Sequence, residues 1–286
     1  MNLFDNVEKI IETAEKSSVR LGACVNFNKQ KFYGYREHEE FDTACGIKIF
    51  ILLEYVNQIF SGKFSGKELL TYTEENFSTG AGAIKYLPFG SKITMENAAE
   101  LMTTKSDHIA ANLLIDALGM DVINETIQRL GFTKTKLHRK FLIPKLKNIG
   151  SSSPQDYTKF FSLLNEERLL SDEASQYMKK MLLKQKYKDI LTEKILNQPD
   201  GNFFIDVMSK SGFADGKIYN EFTDSYIVDG GIILTTKGAY EISLFADVKY
   251  NSPFSLEQVK SFLQDISANF FNIFMTDEGV ARLCST

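Results

Sequence analysis

The sequence predicts a mixed α/β fold (α+β) in which an antiparallel sheet, flanked by N- and C-terminal helices, carries an all-helical lobe. Strand-like segments occur near both ends of the chain, at residues 19–35 and 204–248, and a long helical pattern separates them. Apolar residues also recur at helical spacing at each end of the chain. With 286 residues, 43% of them hydrophobic, the chain is long enough to bury a core of this kind.

The first part of the chain predicts one helix and two paired strands. Apolar residues recur every three or four positions over residues 3–16, and the strand-like segments 19–27 and 31–35 are separated by only three residues, as in a hairpin. From Cys45 to about Asp189 the pattern is helical. The helices predicted there are Lys48–Phe60, Met95–Thr104, Ile109–Leu118, Asp121–Leu130, Pro154–Asn165 and Asp172–Leu183.

The last part of the chain returns to strands and ends with a helix. The predicted strands are Phe204–Lys210, Ser225–Thr235 and Tyr240–Val248, and the helix is Ser255–Phe274. Gly230 and Gly231 within the second of these strands indicate a bulge or a close backbone approach. We therefore expect residues 1–40 and 195–286 to form an α/β lobe, residues 41–194 to form a helical lobe, and the active site to lie in the cleft between them.

Charge and composition exclude several classes of protein. The 33 basic and 37 acidic residues are interleaved, with a net charge of −4, so no basic surface predicts binding to nucleic acid. The longest apolar run, residues 47–55, contains two charged residues and is far shorter than the roughly 20 residues that cross a membrane. The N-terminus lacks the pattern of a leader peptide, and we expect a cytoplasmic protein. Cys24, Cys45 and Cys284 are too widely spaced for a metal-binding motif and are expected to be free thiols.

Three short motifs carry the chemistry. The first, from Cys45 to Lys48, opens a predicted helix; the second is Ser106-Asp107-His108; the third, Lys210-Ser211-Gly212, ends a predicted strand. In order and approximate spacing they resemble the SxxK, SDN and KTG motifs of class A β-lactamases and related penicillin-recognising serine hydrolases. The segment 82–87 fits the same family, and the resemblance covers nearly the whole chain. It implies a β-lactamase-like fold.

Cys45 stands where the family has its nucleophilic serine. The first turn of a helix lies at the positive end of the helix dipole, and Lys48 projects from the same face, so both lower the pKa of a thiol. The resemblance adds Lys210 as a second cationic neighbour, which favours a reactive thiolate. The alternative is that Cys45 is an unreactive buried residue. Whether Cys45 is native or a designed replacement of serine is also open.

The resemblance implies roles for the other motif residues. Lys48 takes or relays the proton of the nucleophile, and Ser106 passes a proton to the leaving group. Lys210 and Ser211 bind a carboxylate or an equivalent anion of the substrate. The backbone N–H groups of Cys45 and of Phe213, which follows Gly212, form an oxyanion hole.

The chain departs from the family at four points. Cys45 replaces serine, His108 replaces asparagine, and Ser211 replaces the common threonine. In the fourth, the segment from Leu137 to Asn148 has no carboxylate, although class A β-lactamases carry there a glutamate that activates the deacylating water. Without this glutamate an acyl-enzyme would stall, so we do not expect an efficient β-lactamase.

His108 has two interpretations that the sequence leaves open. It is either a base that acts with Cys45 and Lys48, since imidazole titrates near neutral pH, or a substitute for the amide hydrogen bond of asparagine. His38 and His138 are expected to be surface or structural residues, and Asp107 is expected to brace its loop.

These features predict an acyl-transfer enzyme, namely an amidase, thioesterase or acyltransferase, that forms an acyl-thioester on Cys45. Its substrate would be a small molecule or peptide, free or carrier-bound, and no metal or cofactor is predicted. Two alternatives are a catalytically silent binding protein and a weak β-lactamase or peptidase-like hydrolase. Intact Lys48, Ser106 and Lys210 favour an enzyme over the binding protein. Hydrolysis and transfer are not distinguished by the sequence.

Overall fold

A computed structural model of the protein describes residues 3–142, 148–197, 203–216 and 223–276. Cys284 and residues 143–147 of the segment from Leu137 to Asn148 lie outside these ranges. The strands of the described residues are β1 (Val19–Phe27), β2 (Gln30–Tyr35), β3 (Phe41–Asp42), β4 (Leu69–Thr71), β5 (Lys92–Thr94), β6 (Lys136–Leu137), β7 (Gly150–Ser152), β8 (Phe204–Ser209), β9 (Gly212–Ala214), β10 (Ser225–Thr235) and β11 (Gly238–Val248).

The main sheet is antiparallel and takes strands from both ends of the chain. Its order is β2-β1-β11-β10-β8, and β9 also pairs with β10. β1 lies opposite β11 from Val19 with Val248 to Phe27 with Tyr240, so the first and last strands of the described residues are neighbours. β10 and β11 form a hairpin along their whole length.

The helices cover both faces of this sheet and form the insert between its strands. They are α1 (Leu3–Glu15), α2 (Lys48–Phe60), α3 (Met95–Thr104), α4 (His108–Leu118), α5 (Met120–Arg129), α6 (Pro154–Asn165), α7 (Asp172–Leu183), α8 (Asp189–Leu196) and α9 (Leu256–Met275). α1, α8 and α9 share an apolar cluster with one face of the sheet, and α6 packs against β1, β10 and β11. α2 runs through a second cluster and is buried on every side from Lys48 to Val56. A helix that is apolar all round is stable only in such a position.

The predicted mixed fold with its antiparallel sheet is confirmed. The helical insert also contains a two-stranded sheet, β4–β5, and a three-stranded sheet, β3–β7–β6, which the sequence did not predict. Strands of two or three residues are too short to show an alternating pattern. α8 was also not predicted, and its apolar residues join the cluster beneath the sheet. The division of the chain into residues 1–40 with 195–286 and residues 41–194 stays a prediction.

A close backbone approach is found at Gly231, where a Cβ would lie 2.5 Å from the carbonyl oxygen of Met208, whereas Gly230 is approached by an aromatic ring. A Cβ at Gly230 would lie 2.5 Å from the ring of Tyr157, and the pairing of β10 with β11 runs past this residue without a bulge. Tyr157 is fully buried, and its hydroxyl lies 2.7 Å from the carbonyl oxygen of Lys210 and 3.2 Å from that of Gly46. Gly230 therefore makes room for a tyrosine that joins α6 to two separate stretches of backbone.

We expect Gly230→Ala to lower the free energy of unfolding by about 1–3 kcal/mol, because the ring of Tyr157 is fixed by its hydroxyl and has no space to move. The matched control is Gly66→Ala, where the nearest atom to the new Cβ is 3.3 Å away on the side chain of Glu96. Urea denaturation of both variants measures the difference. An equal loss of stability in the two variants would contradict this account of Gly230.

Candidate active site

Cys45 lies in a 3₁₀ turn, Ala44–Ile47, that leads directly into α2. The sequence predicted Cys45 in the first turn of the helix, whereas the structure has it in the turn just before the helix. Cys45 is still at the N-terminal, positive end of α2. Ala44 adopts a φ of +43°, which non-glycine residues rarely do, and its N–H donates to Asp42 Oδ1 at 2.8 Å. Strain of this kind is frequent at functional sites.

The sulfur of Cys45 contacts two nitrogen atoms. Lys48 Nζ lies 3.3 Å from Sγ, and His108 Nε2 also lies 3.3 Å from it. Lys48 Nζ makes two further hydrogen bonds, to the carbonyl oxygen of Ser106 at 2.6 Å and to its hydroxyl at 3.2 Å. An ammonium group has three donors, and these three acceptors match them.

The hydroxyl of Ser106 bridges two lysines, because Lys210 Nζ donates to it at 3.1 Å from the opposite side. Ser106 has a φ of +55° in the short link between α3 and α4. Lys210 also donates to the carbonyl oxygen of Ser211 at 2.6 Å, and only 1% of Lys210 is exposed. The three motifs therefore meet through one hydroxyl group.

Asp107 holds a neighbouring loop in place. One of its oxygens accepts hydrogen bonds from the N–H groups of Ala83 and Ile84, at 2.7 and 3.0 Å, and the other caps α4 by accepting from Ala110 N at 3.0 Å. The carboxylate is thus fully engaged with backbone donors. This agrees with the expectation that Asp107 braces its loop.

The third motif brings β9 against the turn that carries Cys45. A Cβ at Gly212 would lie 2.3 Å from the carbonyl oxygen of Thr43 and 2.4 Å from the N–H nitrogen of Gly46, so only glycine fits there. The next residue, Phe213, is half exposed at the mouth of the cleft. Ser211 donates from its hydroxyl to the carbonyl oxygen of Tyr187 at 3.1 Å.

The charges around Cys45 favour a thiolate. Burial alone would raise the pKa of Cys45, but Lys48, His108 and Lys210 together lower that pKa well below its ordinary value. Burial lowers the pKa of Lys48 and of His108, and it lowers the pKa of Lys210 to about 7. We take His108 as a neutral imidazole that donates from Nε2 to the thiolate, because the lysines supply the positive charge. For Cys24, in contrast, burial raises the pKa to about 11.

Phe141 closes the site next to Lys48. Its buried ring lies 4.3 Å from Lys48 Nζ, and its centre is 5.2 Å from the centre of the His108 ring. Asn112 fixes this residue, since Oδ1 accepts from Phe141 N at 2.7 Å and Nδ2 donates to Phe141 O at 3.3 Å. In the described part of the segment from Leu137 to Asn148, an aromatic ring therefore packs against Lys48. Sequence reasoning noted the missing carboxylate but did not identify this contact.

A cavity of about 520 Å³ opens from these groups, within the range of small-molecule sites. Six of the residues that line it belong to the motifs or follow the third one: Cys45, Ser106, His108, Ser211, Gly212 and Phe213. The other histidines lie elsewhere: His38 is exposed, and His138 Nε2 contacts Ser151 Oγ at 3.1 Å. Among the described residues, no group of three or more His, Cys, Asp or Glu side chains could hold a metal ion. No helix in the same ranges has the length and apolar character needed to cross a membrane.

The sheet, the helical insert and the cleft together form a β-lactamase-like fold. The model of the β-lactamase enzyme family matches residues 2–274, and the chain belongs to this family of hydrolases. β-Lactamase BRO-1 from Moraxella catarrhalis is 23% identical over 203 residues, which are 68% of this chain and 64% of that protein, just under two thirds of its length.

Solved structures give the same fold over almost the whole chain. A β-lactamase from Sphaerobacter thermophilus has a TM-score of 0.82 at 24% identity, with 95% of this chain and 97% of that chain covered. PBP-A has a TM-score of 0.80 at 20% identity, with 96% and 97% covered. A mutant of PBP-A was solved as an acyl-enzyme complex with penicillin G. At these identities the likeness establishes the fold.

We expect iodoacetamide at pH 6.5 to alkylate Cys45 at least about tenfold faster than Cys24 or Cys284, because the thiolate is the reactive form and the surrounding cations favour it. Mass spectrometry of tryptic peptides measures the three rates in one sample. Cys24 is the internal control, since it is buried without such cations. Labelling of Cys45 at the rate of Cys24 would contradict the presence of an activated thiolate.

Proposed function

We propose that this protein is an acyl-transfer enzyme that forms a covalent acyl-thioester on Cys45. The observation that carries the proposal is the position of the Cys45 sulfur, 3.3 Å from both Lys48 Nζ and His108 Nε2. Membership of the β-lactamase enzyme family supports it, as does the acyl-enzyme complex of PBP-A, which has the same fold. The substrate class is a small molecule or peptide that carries an acyl group, free or bound to a carrier.

In the first half-reaction, the Cys45 thiolate attacks the acyl carbon of the substrate, and the bond from that carbon to the leaving group breaks. The leaving group takes a proton from the hydroxyl of Ser106, and the Lys48 ammonium replaces it across 3.2 Å. Lys210 Nζ donates to the Ser106 hydroxyl oxygen at 3.1 Å and stabilises the negative charge that develops on this oxygen during the proton transfer. The products are the thioester, the protonated leaving group and a neutral Lys48.

The negative charge of the tetrahedral intermediate needs donors close to Cys45. We assign them to the N–H groups of Cys45 and Phe213, because β9 lies against the turn that contains Cys45 with no side chain between them. Lys210 with Ser211 is our proposed subsite for a carboxylate or other anion of the substrate. The charge of Lys210 is present below about pH 7 and is lost as the pH rises above it, since burial lowers its pKa.

In the second half-reaction Cys45 is acylated and carries no charge, so the neutral His108 ring adopts its other tautomer, with hydrogen on Nδ1 and a free Nε2. His108 Nε2 then takes the proton of the acceptor, the acceptor attacks the thioester carbon, and the bond from that carbon to sulfur breaks. The thiolate re-forms within 3.3 Å of both His108 and Lys48, so the proton returns to Lys48 through this contact. The ring of Phe141, which cannot accept a proton, lies against Lys48. We therefore assign the base for acyl release to His108. A thioester passes its acyl group to amines and thiols more readily than an oxygen ester does, so we propose transfer over hydrolysis.

We expect poor turnover of the β-lactam nitrocefin, with an acyl adduct that accumulates on Cys45, because no carboxylate among the described residues of the segment from Leu137 to Asn148 can activate water. Intact-protein mass spectrometry measures the adduct, and absorbance measures turnover. Cys45→Ala is the control and should form no adduct. Turnover typical of class A β-lactamases, lost in Cys45→Ala, would refute the proposal of a poor β-lactamase.

We expect His108→Asn to leave acylation of Cys45 nearly intact and to slow release of the acyl group by roughly 10²–10⁴-fold, the usual contribution of a general base. Single-turnover kinetics with a thioester substrate measure the two steps separately. His138→Asn is the matched control, because that histidine lies outside the cleft. Release at the wild-type rate with only weaker substrate binding would assign His108 to binding.

A further inference from the structure

The loop that precedes α3 encloses the imidazole ring of His108. Ser78 is 2% exposed, and its hydroxyl lies 3.4 Å from His108 Nδ1, the nitrogen on the far side of the ring from Cys45. A Cβ at Gly80 would lie 2.1 Å from the same nitrogen, so glycine makes space for the ring. The carbonyl oxygen of Ala81 accepts the backbone N–H of His108 at 2.9 Å.

We propose that Ser78 is a positioning residue for His108, which completes a row of three groups, Cys45, His108 and Ser78. The inference rests on the role of His108 proposed above. Two contacts on opposite nitrogen atoms, at 3.3 Å from the sulfur and 3.4 Å from the hydroxyl, fix the rotation of the ring. The ring of Phe141 limits its tilt from one face.

Asp107, adjacent to His108 in sequence, does not take this role. Its two oxygens already accept hydrogen bonds from three backbone N–H groups, those of Ala83, Ile84 and Ala110. A carboxylate that orients a histidine is the arrangement found in many hydrolases. Here the group within hydrogen-bond distance of Nδ1 is a hydroxyl.

A hydroxyl suits a histidine that changes its protonation state. In the resting enzyme Nε2–H donates to the Cys45 thiolate, and the Ser78 hydroxyl donates to Nδ1. Once Cys45 is acylated, Nε2–H has no thiolate to donate to, and the ring adopts the tautomer in which Nδ1–H donates to the Ser78 oxygen and Nε2 is free. When Nε2 has then taken the proton of the acceptor, both ring nitrogens carry hydrogen, and the Ser78 oxygen still accepts from Nδ1–H. A hydroxyl can do both because it is donor and acceptor, whereas an ionised carboxylate only accepts.

Burial has the largest effect on the pKa of His108 and lowers it, and a small set of neighbours acts in addition. Cys45 and Lys48 face it from the turn and from α2, and Asp107 faces it from the start of α4. The loop residues between Ser78 and Ala83 that pack against it are uncharged, as is Phe141. Loss of the Ser78 hydroxyl therefore removes one hydrogen bond and leaves the charges unchanged.

The test measures the pKa of His108 and the rate of acyl release in Ser78→Ala and Ser78→Thr. The pKa is followed by NMR in full-length protein whose Cys45 is alkylated with iodoacetamide, with His108→Asn used to assign the signal. In Ser78→Ala we expect the pKa to fall by about half to one unit, because the protonated ring loses an acceptor. Acyl release should slow by about tenfold, and its pH midpoint should move to lower pH. Ser78→Thr keeps the hydroxyl and should retain wild-type values.

Ser175→Ala is the control, because it removes another fully buried hydroxyl on α7, outside the cavity, and should change neither quantity. If Ser78→Ala does not fold, the isosteric pair Ser78→Thr and Ser78→Val provides the same comparison. An unchanged pKa of His108 in Ser78→Ala, or a lowered pKa with wild-type acyl release, would overturn the positioning role. Failure of His108→Asn to slow release would instead refute the function proposed for His108, and the NMR titration does not depend on that function.

Discussion

The contact between the Cys45 sulfur and Lys48 is the interaction on which the cleft depends. A buried thiolate is costly unless a cation and hydrogen bonds compensate for the lost water. Lys48 can supply both because α2 is buried along most of its length, which fixes the lysine at the start of the helix next to the sulfur. The other two donors of Lys48 then hold Ser106, and Ser106 in turn contacts Lys210. Loss of Lys48 would therefore disturb all three motifs.

In the function proposed above, two exchanges alter the chemistry of the site. A sulfur nucleophile needs less help from a base than a hydroxyl does, so the lysines can stabilise a charge that already exists. The ring of Phe141 lies beside Lys48, and in the mechanism proposed above His108 accepts the proton during acyl release. On the same fold, the lysines would then stabilise the thiolate and the histidine would accept the proton.

The motifs and the main elements could be predicted from the sequence because their signals are local. Cys45 and Lys48 are one turn apart, and β10 and β11 are runs of eleven residues each that are buried along almost their whole length. Ser78 and Phe141 could not be predicted in the same way. Each meets His108 across about thirty residues of chain, in loops without periodicity, and nothing near them in sequence marks the contact. The strain at Ala44 and Ser106 is likewise visible only in the backbone angles.

The hydroxyl of Tyr157 has a consequence for how firmly the nucleophile is held. It lies within hydrogen-bond distance of the carbonyl oxygens of Gly46, next to Cys45, and of Lys210 in the third motif, and Gly230 leaves the ring no spare room. A displacement of either backbone stretch would lengthen one of these contacts inside the core. One buried aromatic side chain therefore sets the spacing between the first and the third motif.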